Sequence, residues 1–257
     1  MILQAVSAGA ILLASSSEWW MPPNGARHGI AVDQLMKANL LALGICFVIA
    51  HLWMGAALLR RRRRHDPSVW KTEVLPLTLL CFLYVAMAVA AQRLWATDRF
   101  EGPSLEALQV EAVGVQFQWY FRYPGYDETF GATQLQLVRP AAGNPLGLDP
   151  NDSHASDDIV SSELVLPAGR EIDLRLRSHD VIHGLFIPGM RLKQNAVPGM
   201  VLHVHFTPIT AGEYDIVCSQ VCGLGHSRMQ ARLRVVSPGA YRDWMAGREA
   251  ARASEAQ

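Results

Sequence analysis

Two long uncharged apolar runs restrict this chain more than any other feature. Ala38 to Leu59 has no formal charge over 22 residues, with His51 as its one basic side chain, and Val74 to Ala91 repeats the uncharged pattern over 18. At about 1.5 Å of rise per residue, each run is long enough as a helix to cross a hydrocarbon layer of about 30 Å, the second near the short limit. Five consecutive arginines, Arg60 to Arg64, follow the first run at once. Two spans joined by so basic a turn form a helical hairpin. The positive-inside rule puts the arginines in the cytoplasm and both ends of the hairpin outside. Two buried helices of a soluble protein would have no use for that turn. Pro76 falls in the first turn of the second span, where its missing N–H costs little.

Ahead of the hairpin, Ile2 to Ala14 is apolar but short and has no basic flank. A weak signal segment cut near Ala14-Ser15 and an arm lying on the membrane both fit it. Trp19, Trp20 and Met21-Pro22-Pro23 have interfacial character.

After Gln92 the runs give way to alternation. Gln134 to Val138, Glu163 to Leu166, Glu171 to Leu176, Val201 to Phe206, Tyr214 to Val217 and Gln230 to Val236 each alternate apolar and polar residues, with Gly, Pro and Asp between them. That pattern predicts an antiparallel β-sandwich or barrel. Arg139 to Asp158 is a long turn-rich excursion, and the tail beyond Pro238 reads as a short amphipathic helix around Tyr241 and Trp244. The expected division is an external arm over 1–33, a transmembrane hairpin over 34–95, a β-domain over 96–237 and a C-terminal helix and tail over 238–257.

Charge follows the same division. The first 95 residues hold nine basic against four acidic side chains, a balance of +5, and the remainder holds nineteen acidic against fourteen basic, a balance of −5. No basic nucleic-acid footprint exists, and the acidic half suits a basic protein partner.

Chemistry concentrates in Cys218-Ser-Gln-Val-Cys222-Gly-Leu-Gly-His226-Ser-Arg-Met229. Cys46 and Cys81 lie in the apolar runs and read as inert small hydrophobes. Two thiols, an imidazole and a thioether between two predicted strands form a soft ligand set of the kind that selects copper for electron transfer. A mononuclear site needs one cysteine; two allow both sulfurs to bridge a pair of coppers, which then require a second histidine. His183, in Ser178-His179-Asp180-Val181-Ile182-His183, is the candidate. A Cys218–Cys222 disulfide and a zinc site are the competing readings. His179, His203 and His205 read as ordinary polar positions. No Cys-x-x-Cys-His occurs, so no covalently attached c-type haem is expected.

With Cys-x3-Cys-x3-His-x2-Met preceded by Ser-His-Asp-Val-Ile-His, the chain resembles subunit II of cytochrome c oxidase over nearly its whole length. The resemblance implies an all-β, cupredoxin-like Greek-key sandwich behind a two-helix transmembrane hairpin. It implies a dinuclear copper centre, Cu(A), bridged by Cys218 and Cys222. His183 and His226 would cap one copper each, with Met229 and the backbone carbonyl of Gln220 as weak axial ligands. It further implies electrons taken from cytochrome c or a similar one-electron donor and passed to haem in subunit I, where oxygen is reduced to water. Subunit I, subunit III and membrane lipid are the implied neighbours, with the copper domain on the periplasmic side of an inner membrane.

Two positions depart from that family's pattern. Phe117 stands where many members have the first tryptophan of an aromatic stretch, and Trp119 keeps the second, so electrons would enter at one of these two. Gln220 replaces a glutamate whose carboxylate binds magnesium in many members, and hard Mg²⁺ prefers a carboxylate, so no magnesium site is expected. Asp180, Asp157 and Asp158, together with Asp149 and Asp152, are candidates for docking a basic donor. Two alternatives share the motif: the copper subunit of a nitric-oxide reductase, and a copper chaperone or storage protein.

Overall fold

A computed structural model describes residues 21–59 and 70–255. The segment Ile2 to Ala14, Trp19, Trp20 and the arginine turn lie outside the described residues.

Helix α1 covers Gly29–Leu59, and α2 covers Leu75–Arg99 behind a single π-helical turn at Trp70–Val74. Pro76 sits in the first turn of α2. Both helices turn large apolar side chains outward: Leu41, Phe47, Leu52, Phe82 and Tyr84 are all more than 60% exposed. An outward apolar surface on this scale is costly in water and fits lipid. The few polar side chains bond backward along their own helix. Asn39 Nδ2 donates to Leu35 O at 2.9 Å, His51 Nδ1 pairs with Phe47 O at 2.8 Å, and Thr78 Oγ1 donates to Val74 O at 2.8 Å. Each such bond hides a polar group that hydrocarbon could not satisfy.

The helical unit runs over Ile30–Glu101, and the β-domain forms a separate compact unit. Its ten strands are β1 Leu108–Val115, β2 Gln118–Tyr123, β3 Ile159–Ser161, β4 Glu163–Pro167, β5 Ile172–Ser178, β6 His183–Ile187, β7 Leu192–Ala196, β8 Leu202–Phe206, β9 Gly212–Cys218 and β10 Gln230–Val236. They form two five-stranded sheets, in the orders β3-β2-β1-β5-β8 and β4-β10-β9-β6-β7. β1 with β5 and β4 with β10 pair in parallel, and the other neighbours are antiparallel. The chain passes between the sheets after β3, β4, β5, β7 and β8, which makes a cupredoxin-like sandwich.

Alternation builds the core. Val110, Ala112, Trp119, Phe121, Leu174 and Leu176 from one sheet meet Leu164, Leu166, Leu185, Ile216 and Leu233 from the other, all fully buried. Tyr123 stitches the sheets: its hydroxyl donates to Val165 O at 3.1 Å and accepts from Val165 N at 2.7 Å. Helix α3, Pro238–Glu255, rests Trp244 edge-on against Tyr123, with ring centroids 5.0 Å apart.

Residues 21–29 belong to the β-domain's unit. Gly25 N donates to Gly189 O at 2.7 Å, Ile209 N donates to Gly25 O at 2.7 Å, and Ala26 is fully buried. This end of the arm is therefore tied to protein.

One expected strand does not form. Within Gln134 to Val138 the chain makes a 3₁₀ turn at Leu135–Leu137 instead. Gln134 N is taken by Gly147 O at 2.7 Å, Leu135 is exposed, and Pro140 follows at once, so no ladder can be built. Asp158, the last residue of the excursion, belongs to a buried ionic cluster. Arg122, 1% exposed, donates from Nε to Asp158 Oδ2 at 3.0 Å and from Nη2 to Gly131 O at 2.5 Å. Glu111, also buried, accepts from Arg122 at 3.4 Å and from Arg177 at 3.2 Å.

Candidate metal centre

Strand register gathers every expected metal ligand at one end of the sandwich. Val115 faces Gln118 and Gly114 faces Ser178, so the β1–β2 turn and the end of β5 lie together. His183 faces Ala196, Leu185 faces Cys218, and Gln230 faces Val217, which adds the start of β6 and the whole β9–β10 loop.

Cys218 closes β9, and its N–H donates to Met229 O at 3.1 Å, pinching the loop at its base. Inside the loop His226 N donates to Gly223 O and Met229 N to His226 O, a tight turn that brings His226 and Met229 back over the cysteines. Ser219 N donates to Gly184 O at 2.8 Å, and a Cβ on Gly184 would lie 2.4 Å from Ser219 Oγ. Only glycine permits that approach of the two ligand loops.

The donor atoms converge. The Sγ atoms of Cys218 and Cys222 are 3.8 Å apart, beyond a disulfide bond, and both cysteines are free. Cys222 Sγ lies 3.7 Å from His226 Nδ1 and 3.8 Å from Met229 Sδ. Gln220 O lies 3.2 Å from Cys218 Sγ. Ligand atoms of His183, Cys218 and Cys222 all fall within 4.8 Å of one another. His183 is fully buried; its Nε2 pairs with Asp180 Oδ1 at 2.8 Å, while its Nδ1 has no hydrogen-bond partner. A buried ring nitrogen left unpaired costs about 1–3 kcal/mol, which a metal ion taking its lone pair removes. The donor set is soft and asymmetric, two thiols, two imidazoles, one thioether and one carbonyl, and it fits copper.

The surroundings tune these groups. Burial and the adjoining Cys218 sulfur push the Cys222 thiol up to about 11. Burial also works against the charge of Asp180, but hydrogen bonds from Gln116 N, His183 and Val181 N outweigh it and hold the carboxyl below its ordinary value. A carboxylate on the far nitrogen of a ligating histidine fixes the ring and raises its basicity. Gly114 completes the seat: a Cβ there would lie 2.7 Å from His183 Cδ2.

The aromatic residues divide. Trp119 is fully buried, its ring edge-on to His183 at 5.8 Å between centroids. Phe117 is 39% exposed, and Cβ atoms on Gly225 and Gly223 would meet its ring at 2.4 and 3.0 Å. It therefore lies flat against the loop that carries the cysteines and His226.

The docking carboxylates differ in access: Asp180 is exposed, Asp149, Asp152 and Asp157 are half-buried, and Asp158 is buried. Asp158 is fully buried against Arg122, so it cannot meet a partner. Asp157 is half-buried and accepts from Asp127 N at 3.3 Å. Asp149 and Asp152 accept from Gln134 Nε2 and Ala132 N, in the stretch that precedes the excursion. Asp180 faces the imidazole. Its place three residues before His183 is a signal for this contact, which the expectation of a docking role at Asp180 did not include. Gln116 and Gly114 also belong to the site and were not singled out; their contacts cross from one sheet to the other, and spacing does not reveal them. His203, at 3.0 Å from Asp173, stays apart from the metal ligands.

The chain is similar to known proteins of one family. The family described as cytochrome c oxidase subunit II, periplasmic domain, matches residues 108–236. The alternative cytochrome c oxidase subunit 2 of Bradyrhizobium diazoefficiens is 32% identical over 253 residues, covering 95% of this chain and 90% of that protein. The cytochrome c oxidase subunit 2 of Synechocystis is 30% identical over 146 residues, 57% of this chain and 35% of that protein. The solved periplasmic domain of subunit II of Bradyrhizobium japonicum cytochrome oxidase is 25% identical with a TM-score of 0.42, covering 58% of this chain and 97% of that one. Two apolar helices, a sandwich with convergent thiols and imidazoles, and a match along almost the entire length lead to one conclusion: this chain belongs to the cytochrome c oxidase subunit II family and is a membrane subunit of a terminal oxidase.

Proposed function

We propose that this subunit accepts single electrons at a dinuclear copper centre held by His183, Cys218, Cys222, His226, Met229 and the carbonyl of Gln220, and passes them to haem in subunit I. Membership of the family implies a copper centre, and the convergence of His183, Cys218 and Cys222 within 4.8 Å is the observation that carries the finer reading. When bound, a copper pair supplies a one-electron acceptor that delocalises the charge over both metals.

The protein's part is rigidity and insulation. Cys218 and Cys222, both buried with their sulfurs 3.8 Å apart, would hold the copper, and Met229, 1% exposed, closes the inner side. Asp180 fixes the His183 ring, and Gly114 and Gly184 let backbone and imidazole approach without displacement. Ligands already in place limit the rearrangement that each change of charge would demand. Phe117, exposed and flat on the loop, is the contact we assign to an incoming electron, with Trp119 as a buried support of His183.

We further assign the donor role to cytochrome c or a similar carrier, and neighbouring positions to subunits I and III. Residues 34–95 would anchor the subunit in a bacterial-type inner membrane with the domain over 96–237 on the outer side. Two substitutions separate the ligand roles. His183→Ala should abolish the mixed-valence copper signal in electron paramagnetic resonance, whereas Met229→Leu should keep it and shift the reduction potential. Equal loss in both variants would contradict the assignment.

A further inference from the structure

Gln116, in the turn between β1 and β2, reaches both halves of the ligand set. Its backbone N–H donates to Asp180 Oδ2 at 2.7 Å, and the other oxygen of that carboxylate holds His183 Nε2 at 2.8 Å. Its side-chain Nε2 donates to the carbonyl of Cys222 at 2.5 Å. His183 comes from β6 and Cys222 from the β9–β10 loop, so a residue of the opposite sheet adds a second tie between two ligand stretches that Ser219 N and Gly184 O already join. The fit is close: a Cβ on Gly223 would lie 2.9 Å from Gln116 Nε2.

We propose that Gln116 is a positioning residue of the metal centre, a clasp that fixes the separation of His183 and Cys222. The inference rests on the copper assignment above but concerns a side chain that is not a ligand. Its amide sets the orientation of the peptide plane directly after Cys222, and hence the direction of that cysteine's Cα–Cβ bond. Through Asp180 its backbone sets the His183 ring. Two unlike ligands are thereby referred to one point. Phe117 is the next residue, so the surface aromatic and the ligand frame share that point.

The test uses the full chain in the detergent-purified oxidase. Gln116→Met keeps the length of the side chain and the backbone donor but removes the amide. Gln116→Asn keeps an amide on a shorter arm. Gln118→Met, two residues along on the exposed start of β2, is the control. The readouts are the rate of copper release to a chelator, the hyperfine pattern of the copper signal and the unfolding temperature. Outer-shell partners of metal ligands are generally worth about 10–100-fold in metal affinity. Gln116→Met should therefore release copper about 10–100-fold faster with an altered hyperfine pattern, Gln116→Asn should be intermediate, and Gln118→Met should match the parent. Release within about twofold of the parent in Gln116→Met overturns the proposal. So does a lowered unfolding temperature in Gln116→Met with parent-like release in Gln116→Asn, which would make the role structural. A parent lacking a dinuclear signal would overturn the copper assignment instead, and the release rates would still decide the clasp.

Discussion

Cys222 shows how much a single protonation matters in this site. Its thiol, ordinarily near 9.0, is raised to about 11 by burial and by the sulfur of Cys218, so the copper-free fold holds the proton at neutral pH. Metal binding must expel that proton, and apparent copper affinity weakens as pH falls. Stability of the copper-free chain runs the other way. The raised value contributes stability that is complete below about pH 9 and is lost as pH climbs through about 11. Thermal unfolding of copper-free protein from neutral pH to about 11 should show a decline above 9 that Cys222→Ser lacks; identical curves would contradict the burial of this thiol. At the same scale, the proposed ligands are legible in the sequence because they fall in two short stretches. The residues that hold them are not. Gln116 meets Cys222 across 106 positions of chain, and no local pattern marks such a pair.

Elements repeat that contrast. The strands β4, β5, β8, β9 and β10 follow from alternation within a few residues, because each sends apolar side chains into the core, and both apolar helices follow from the length of their uncharged runs. Gln134 to Val138 alternates as well, yet it has no neighbouring strand and turns into 3₁₀ helix, since alternation states which side chains seek burial and not what will cover them. The acidic excursion misled in a different way. Its carboxylates suggested a face for a basic donor, and Asp158 is instead the buried partner of Arg122, three of whose contacts lie in Glu111, Gly131 and Asp158. Removing one member of a buried ionic cluster strands the other charge, at a cost of about 3–5 kcal/mol. Asp158→Ala should lower stability by about that amount and expose residues 139–158 to proteolysis while leaving the copper spectrum intact. Parent-like stability would show that the cluster does not hold the excursion down.

At the scale of the molecule, composition and function agree. The basic surplus of the first 95 residues centres on Arg60 to Arg64 beside the apolar spans, and the acidic surplus belongs to the β-domain. That domain gathers the proposed ligands at one end, where Phe117 is exposed. The proposed route of electrons through the subunit depends on the nuclearity of that end. The most direct measurement is electron paramagnetic resonance of the full-length chain in the copper-loaded oxidase, taken with the copper content per chain. The account predicts one unpaired electron shared by two equivalent copper nuclei. A signal from one isolated copper, or none, would contradict it.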